Sequence, residues 1–157
     1  MSWSYILIPL LTLAVSLGGS SFTSGGIGSG WYDKLVKPSW TPPGWVIGIV
    51  WTTIFILAAI SAILVWNGMP RSNVFWFIIM LFLLNGLLNV FWSYLFFGAP
   101  HALGWATLEA AVLDLSVIAL VVLIWPFSRL AAGLLMPYAA WVAFATYLTS
   151  VVWHLNN

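Results

Sequence analysis

Few side chains in this sequence could do chemistry, and most of them sit inside apolar runs. Glu109 and Asp114 share one such run; a carboxylate there costs a few kcal/mol to insert and by default faces protein or water. Five residues apart, they stand about 140° from each other around a helix, so they form no acid–base pair on one face. Neither is accompanied by a nucleophile with a neighbouring base, and hydrolytic catalysis has no support. Cys is absent, and the two His, His101 and His154, are far apart in the sequence, so no metal site is expected. The excess is in indole, with 12 Trp in 157 residues. Trp3, Trp31, Trp40, Trp45, Trp66, Trp76, Trp125 and Trp153 fall near the ends of apolar runs, where an interfacial belt explains them. Trp51, Trp92, Trp105 and Trp141 lie deeper, and for these both packing and stacking on a ligand stay open.

The elements that carry these residues belong in a bilayer. The chain is 63% hydrophobic and 4% charged, with a mean hydropathy of +1.08, whereas a soluble domain carries about 25% charged residues. A net charge of +1 from four basic side chains excludes a nucleic-acid partner. No Lys or Arg precedes Lys34, so the first apolar run reads as a retained span and not as a signal peptide. The fold class expected is all-α: one domain over 1–157, a bundle of five transmembrane helices at roughly 3–22, 44–66, 72–97, 101–125 and 130–153. A Gly/Ser-rich stretch at 20–30 should break the first helix and open a long, partly ordered loop running to Gly44. Thr41 should cap the second span, and the Asn67-Gly68-Met69-Pro70 segment should end it. Gly98-Ala99-Pro100 should stop the third. The short later turns make consecutive helices antiparallel neighbours. Lys34 and Lys37 lie on one side and Arg71 and Arg129 on the other, so the positive-inside rule leaves the orientation open.

Helix arithmetic gathers several deeper residues into one layer beneath the first loop. Trp51 falls about 9 Å below that side, Asn89, Glu109 and Ala145 about 12 Å, and Trp141 about 18 Å, at about 1.5 Å per residue. Asn85, Asn89 and Trp92 are related by i+4 and i+3, as are Trp141 and Ala145 by i+4, so each set shares a helix face. Four spans thus contribute polar, aromatic or small groups at similar depth, which suggests a cavity. Gly44 and Gly48 form a GxxxG, and Ala102, Ala106 and Ala110 repeat at i+4; both patterns suit close helix packing.

The segment WYDKLVKPSWTPP at 31–43 resembles the hallmark of the translocator protein family, which includes the bacterial tryptophan-rich sensory proteins and the peripheral-type benzodiazepine receptor. Further stretches are similar in the same order: Trp51 with Thr52 and Phe55, NVFWSYLFFG at 89–98, ALGWATLE at 102–109 and PYAAWVAFATYL at 137–148. The resemblance implies a five-helix bundle, a homodimer in the bilayer, and a cavity under the first loop. It also implies ligands that are flat and hydrophobic: porphyrins, isoquinoline carboxamides or benzodiazepines, with sterols in animal members. No cofactor is required. By position, Trp51 and Asn89 match the family's ligand contacts, Trp141 and Ala145 its helix 5 pair, and Trp31 and Tyr32 its lid. Glu109 stands where the family commonly has Asp; Asp114 has no usual counterpart.

Where animal members end their sterol segment with Tyr and Arg, this chain has Ser150 and His154, and no Lys or Arg follows Tyr147. A weak sterol site and a bacterial rather than mitochondrial membrane are expected. Three activities stay open. The first is binding and sensing of porphyrin-like tetrapyrroles by Trp31, Tyr32, Trp51, Asn89, Trp92, Glu109, Trp141 and Ala145. The second is light-dependent porphyrin degradation, with Trp51 and Trp141 as the reactive indoles. The third is proton-coupled transport through Glu109 or Asp114.

Overall fold

A computed structural model describes residues 3–98 and 101–157. It contains α1 (Ser4–Gly28), α2 (Trp31–Lys34), α3 (Gly44–Gly68), α4 (Asn73–Phe97), α5 (Leu103–Ile124) and α6 (Arg129–Leu155), with no strand among the described residues. All but the short α2 are long and apolar enough to cross a membrane, which makes five spans. The chain is therefore an integral, multi-pass membrane protein. Hydroxyl caps open two of the spans: Ser72 Oγ accepts from the Phe75 amide and Ser128 Oγ from the Ala131 amide, each at 3.2 Å. The expected stop at Ala99 and Pro100 lies outside the described residues.

The first span is longer than its composition suggests. The Gly/Ser-rich stretch does not break it; α1 continues to Gly28. In hydrocarbon every backbone group needs an internal partner, so an apolar-flanked Ser/Gly run gains by staying helical. Its hydroxyls fold back onto the helix, Ser21 Oγ donating to the Gly18 carbonyl at 2.8 Å and Thr23 Oγ1 to that of Gly19 at 3.1 Å. The connection to α3 is correspondingly shorter than the expected loop, and α2 interrupts it. Gly30, with φ of 72°, supplies the left-handed residue that turns the chain from α1 into α2. Thr41 does not cap α3. Its hydroxyl donates to the Pro38 carbonyl at 2.7 Å inside the loop, and Pro43 occupies the cap.

The helices close a ring in the order α1, α4, α5, α6, α3 and back to α1. Consecutive spans are thus not always neighbours: α3 and α4 barely meet, with Trp66 edge-on to Phe75 beside their turn, and each packs instead on α1. Small residues make the α1–α4 seam. A Cβ on Gly19 would stand 3.2 Å from Ser93 Oγ, and one on Gly26 would stand 2.9 Å from the Phe97 carbonyl oxygen. Positions rise together along both helices, from Val15 on Gly86 to Gly26 on Phe97, so α1 and α4 run parallel as five alternating spans require.

The bundle is solid at one end. Val65, Phe75, Ile78, Val117, Leu120, Ile124 and Leu135 are fully buried there, and Ser61 Oγ ties α3 to α6 by donating to the Ala131 carbonyl at 2.8 Å. Toward the α1–α3 connection the apolar core shrinks to a small cluster around Phe96, Ala106 and Val152.

Candidate functional site

The hollow end encloses a cavity of about 370 Å³, at the small end of the range for small-molecule sites. α1 lines it with Ser16, Gly19, Ser20 and Thr23, and α3 with Gly44, Gly48, Trp51 and Phe55. α4 adds Asn89 and Trp92, and α6 adds Trp141 and Ala145. Tyr32 and Thr41 come from the connection above. α1 and α3 are tied at the opposite end, where Ser4 meets Asn67, and the cavity lies between their other halves. Among the described residues, no Asp, Glu, Lys or Arg lines it.

A buried hydrogen-bond chain reaches the cavity wall at Asn89, and its direction follows from one end. Ser116 Oγ lies 2.6 Å from the Leu113 carbonyl, which can only accept, so Ser116 donates there and accepts from Asn85 Nδ2 at 2.8 Å. Asn85 Oδ1 then accepts from the Tyr138 hydroxyl at 3.0 Å, and the Tyr138 oxygen accepts from Asn89 Nδ2 at 3.3 Å. Asn89 Oδ1 takes no part in this chain and lies on the Gly19 side of the cavity. The indole N–H groups of Trp92 and Trp141 are buried with no hydrogen-bond partner among the described residues. Trp51 stands edge-on to Tyr138, 6.1 Å between ring centres. The site therefore combines flat aromatic walls and a positioned amide acceptor.

Six of the residues singled out by sequence come together here: Tyr32, Trp51, Asn89, Trp92, Trp141 and Ala145. Two do not. Trp31 is not on the cavity wall; it stacks on His101 at 4.2 Å and meets Phe96 edge-on, fastening α2 to the turn before α5. Glu109 is buried between α4 and α5 and is absent from the cavity wall. Asp114 is also absent from the cavity wall. Trp105 is 68% exposed on the outer face, as membrane packing would have it. A Cβ added at Gly44 or Gly48 would meet no described atom within 4 Å, so their GxxxG faces the cavity and not a helix.

Sequence reasoning missed the α1 wall and Tyr138. A signal for the first existed: Ser16, Gly19, Ser20 and Thr23 follow the i, i+3, i+4, i+7 spacing of one face. Tyr138 stands three residues before Trp141, hence on the same face.

Over the cavity, Lys37 holds the connection in shape. Its Nζ donates to the Leu35 carbonyl at 3.2 Å and stands 4.3 Å over the Tyr32 ring. Burial, with a smaller push from neighbouring Asp33, raises the Tyr32 phenol above its ordinary pKa, so at neutral pH it meets the cavity as an uncharged hydroxyl. Near the end of α6, His154 Nδ1 contacts the Ser150 carbonyl at 2.7 Å.

The sequence pattern of the TspO/MBR family matches residues 6–154. The chain is 39% identical over 127 residues to a tryptophan-rich protein TspO of Bacillus cereus, covering 80% of each. It is 40% identical over 154 residues to the human translocator protein, covering 93% of this chain and 88% of the relative. With the protein CrtK of Rhodobacter capsulatus it shares 38% over 133 residues, 80% of this chain and 78% of the relative. A five-span bundle with an aromatic cavity under its first connection, matched over nearly its whole length, belongs to the TspO/MBR family.

Proposed function

We propose that this membrane protein binds porphyrin-like tetrapyrroles in the cavity and serves as a sensing or homeostasis protein for them. The observation that carries the reading is the set of indoles, Trp51, Trp92 and Trp141, around one uncharged cavity. A flat aromatic macrocycle gains from stacking on such walls. The oriented Asn89 acceptor suits ring N–H groups. With no cation on the described walls, acidic substituents of a ligand belong at the mouth, where Lys34 and Lys37 lie. Isoquinoline carboxamide and benzodiazepine-type ligands, flat and apolar with a carbonyl, fit the same description. A homodimer in the bilayer is part of this proposal and is read by native mass spectrometry from nanodiscs.

Degradation of the bound macrocycle under light is the second reading, favoured by the Trp51 and Trp141 indoles on the cavity wall. A relay that couples transport to protons through Glu109 or Asp114 lacks direct contact between either carboxyl and the cavity.

The test is a side-by-side titration of the purified protein with protoporphyrin, cholesterol and an isoquinoline carboxamide, read by tryptophan fluorescence. Protoporphyrin should quench strongly and saturate, and cholesterol should bind far more weakly. Quenching that rises linearly without saturation would reject the site. Pigment products formed only under illumination would move the reading to degradation.

A further inference from the structure

α1 has two seams, and one of them is open. On its α4 side, a Cβ at Gly18, Gly19 or Gly26 would stand 2.9 to 3.3 Å from an α4 atom. On its α3 side the two helices are tied at the far end by Ser4 and Asn67. Beyond Ser4, the buried residues of α1 are Gly19 and Gly26, and both face α4. The edges that look at each other across the cavity stay uncovered. Ser20 and Ser24 on α1, and Gly44, Gly48 and Thr52 on α3, all line the cavity and are all exposed. A Cβ at Gly44 or Gly48 would meet nothing within 4 Å. From Gly44 to Thr52, this slot runs about 12 Å along the helices at about 1.5 Å per residue, from the connection toward mid-membrane. Its edges carry no large side chain. Their hydroxyls are turned back on their own helices, Ser20 Oγ donating to the Leu17 carbonyl at 3.1 Å and Thr52 Oγ1 to that of Gly48 at 2.8 Å. The roof, by contrast, is fastened. Asn156 hydrogen-bonds both backbone groups of Val36, Trp31 stacks on His101, and Lys37 holds the Leu35 carbonyl.

We propose that the α1–α3 slot is the doorway of the cavity, so that ligands are loaded sideways out of the bilayer and not through the roof. The proposal rests on the binding reading above and adds the route and the compounds that the route selects: flat, apolar molecules already dissolved in the membrane. Such a molecule passes from hydrocarbon to an aromatic cavity without its apolar surface meeting water, whereas entry through the roof would expose that surface on the way. Because the slot runs along the helices, a flat ring enters edge-on, with its plane parallel to α1 and α3. Acidic substituents stay at headgroup level beside Lys34 and Lys37 while the ring slides in beneath them. The small residues of both edges thereby acquire a purpose that helix packing does not give them, since across the slot they have nothing to pack against.

The experiment uses the full chain in nanodiscs, protoporphyrin as the probe and stopped-flow quenching of tryptophan fluorescence as the readout. The chain has no Cys, so Ser20→Cys with Thr52→Cys puts one thiol on each edge of the slot. A flexible bismaleimide with a reducible disulfide in its spacer then bars the slot after the protein has folded. Barring should slow association and dissociation together, each by about tenfold or more, and leave the affinity level, because a gate acts on rates. Reducing the spacer should restore both rates, and linking after loading should trap the ligand. The same reagent across the roof, on Val36→Cys with Asn156→Cys, should leave association at the wild-type rate. Barred protein that loads as fast as unbarred protein, or loading stopped by the roof link, would overturn the doorway and leave the cavity site standing. An affinity that falls on linking while the entry rate stays level would make Ser20 and Thr52 binding contacts and not a doorway. Quenching that never saturates in the unlinked protein would remove the binding reading itself, and the doorway with it.

Discussion

Asn156 grips Val36 by both of its backbone groups. Its Oδ1 accepts from the Val36 amide at 2.9 Å, and its Nδ2 donates to the Val36 carbonyl at 2.8 Å. The same Nδ2 also reaches the Val152 carbonyl at 2.7 Å, so the pin is anchored to the last turn of α6. The end of the fifth span thereby holds the connection that roofs the cavity, and it does so on the side where five alternating spans put both. Asn156→Ala should release this roof without disturbing the walls. Two exposed hydrogen bonds at up to about 1 kcal/mol each predict ligand dissociation faster by about fivefold, with little change in melting temperature. Hydrogen exchange at the Val36 amide should rise in parallel; unchanged exchange there would show that the roof is held by other contacts.

Trp51→Phe and Trp125→Phe make a matched pair for the cavity. Trp51 lines it, whereas Trp125 caps the C-terminal end of α5 and is 42% exposed. Protoporphyrin affinity should fall about fivefold for Trp51→Phe, roughly the loss of a neutral hydrogen bond or of part of a stacking contact, and stay level for Trp125→Phe. Equal losses in two folded variants would put the ligand elsewhere.

Much of this architecture is legible in the sequence because hydrocarbon allows so few solutions. Apolar length gives the spans, and rise per residue gives depth, which is why Trp51, Asn89, Trp141 and Ala145 are found together. Azimuth is less legible. Glu109 is expected at the depth of Asn89 but is absent from the cavity wall: which residues of α5 meet the cavity depends on the ring order of helices, and no pattern shows that α4 would take α1 rather than α3 as its neighbour. The Gly/Ser stretch misleads for a related reason: in water it signals a break, while against α4 the same small side chains are what permit contact.

Gly48 tests whether the space matters rather than any one contact. A Cβ there meets nothing within 4 Å, so Gly48→Leu costs the fold little and removes a flexible residue from a helix. The new side chain projects into the cavity. Binding of protoporphyrin should be lost or nearly so, with the melting temperature unchanged or slightly higher. Retained affinity in that variant would exclude the cavity as the ligand's place.

Tyr138→Phe removes the hub of the buried chain. Asn85 Oδ1 loses its donor and Asn89 Nδ2 its acceptor, and an unsatisfied buried group costs about 1–3 kcal/mol. Stability should drop by that amount. The freed Asn89 amide can then turn either face to the cavity, so preference between ligands with edge donors and ligands with edge acceptors should narrow. A stability loss with the preference intact would mean that Asn89 is oriented by something other than Tyr138.

Gly26 and Gly25 are neighbours with opposite surroundings, and together they test the α1–α4 seam. A Cβ on Gly26 would sit 2.9 Å from the Phe97 ring and from the Phe97 carbonyl oxygen. The ring could move, but a backbone carbonyl in a helix cannot without shifting the helix. Gly26→Ala should therefore force α1 away from α4 and cost about 1–3 kcal/mol, the range for overpacking a close contact. Gly25 faces open space, with nothing within 4 Å of its Cβ position. Gly25→Ala should be neutral or stabilise by up to about 1 kcal/mol, since alanine restricts the unfolded chain and favours the helix. Because α1 also forms one wall of the cavity, Gly26→Ala should weaken ligand binding in addition to lowering stability, and Gly25→Ala should not. Thermal unfolding in one detergent and a protoporphyrin titration check both. If the two variants behave alike, close approach at Gly26 is not what holds α1 in the bundle.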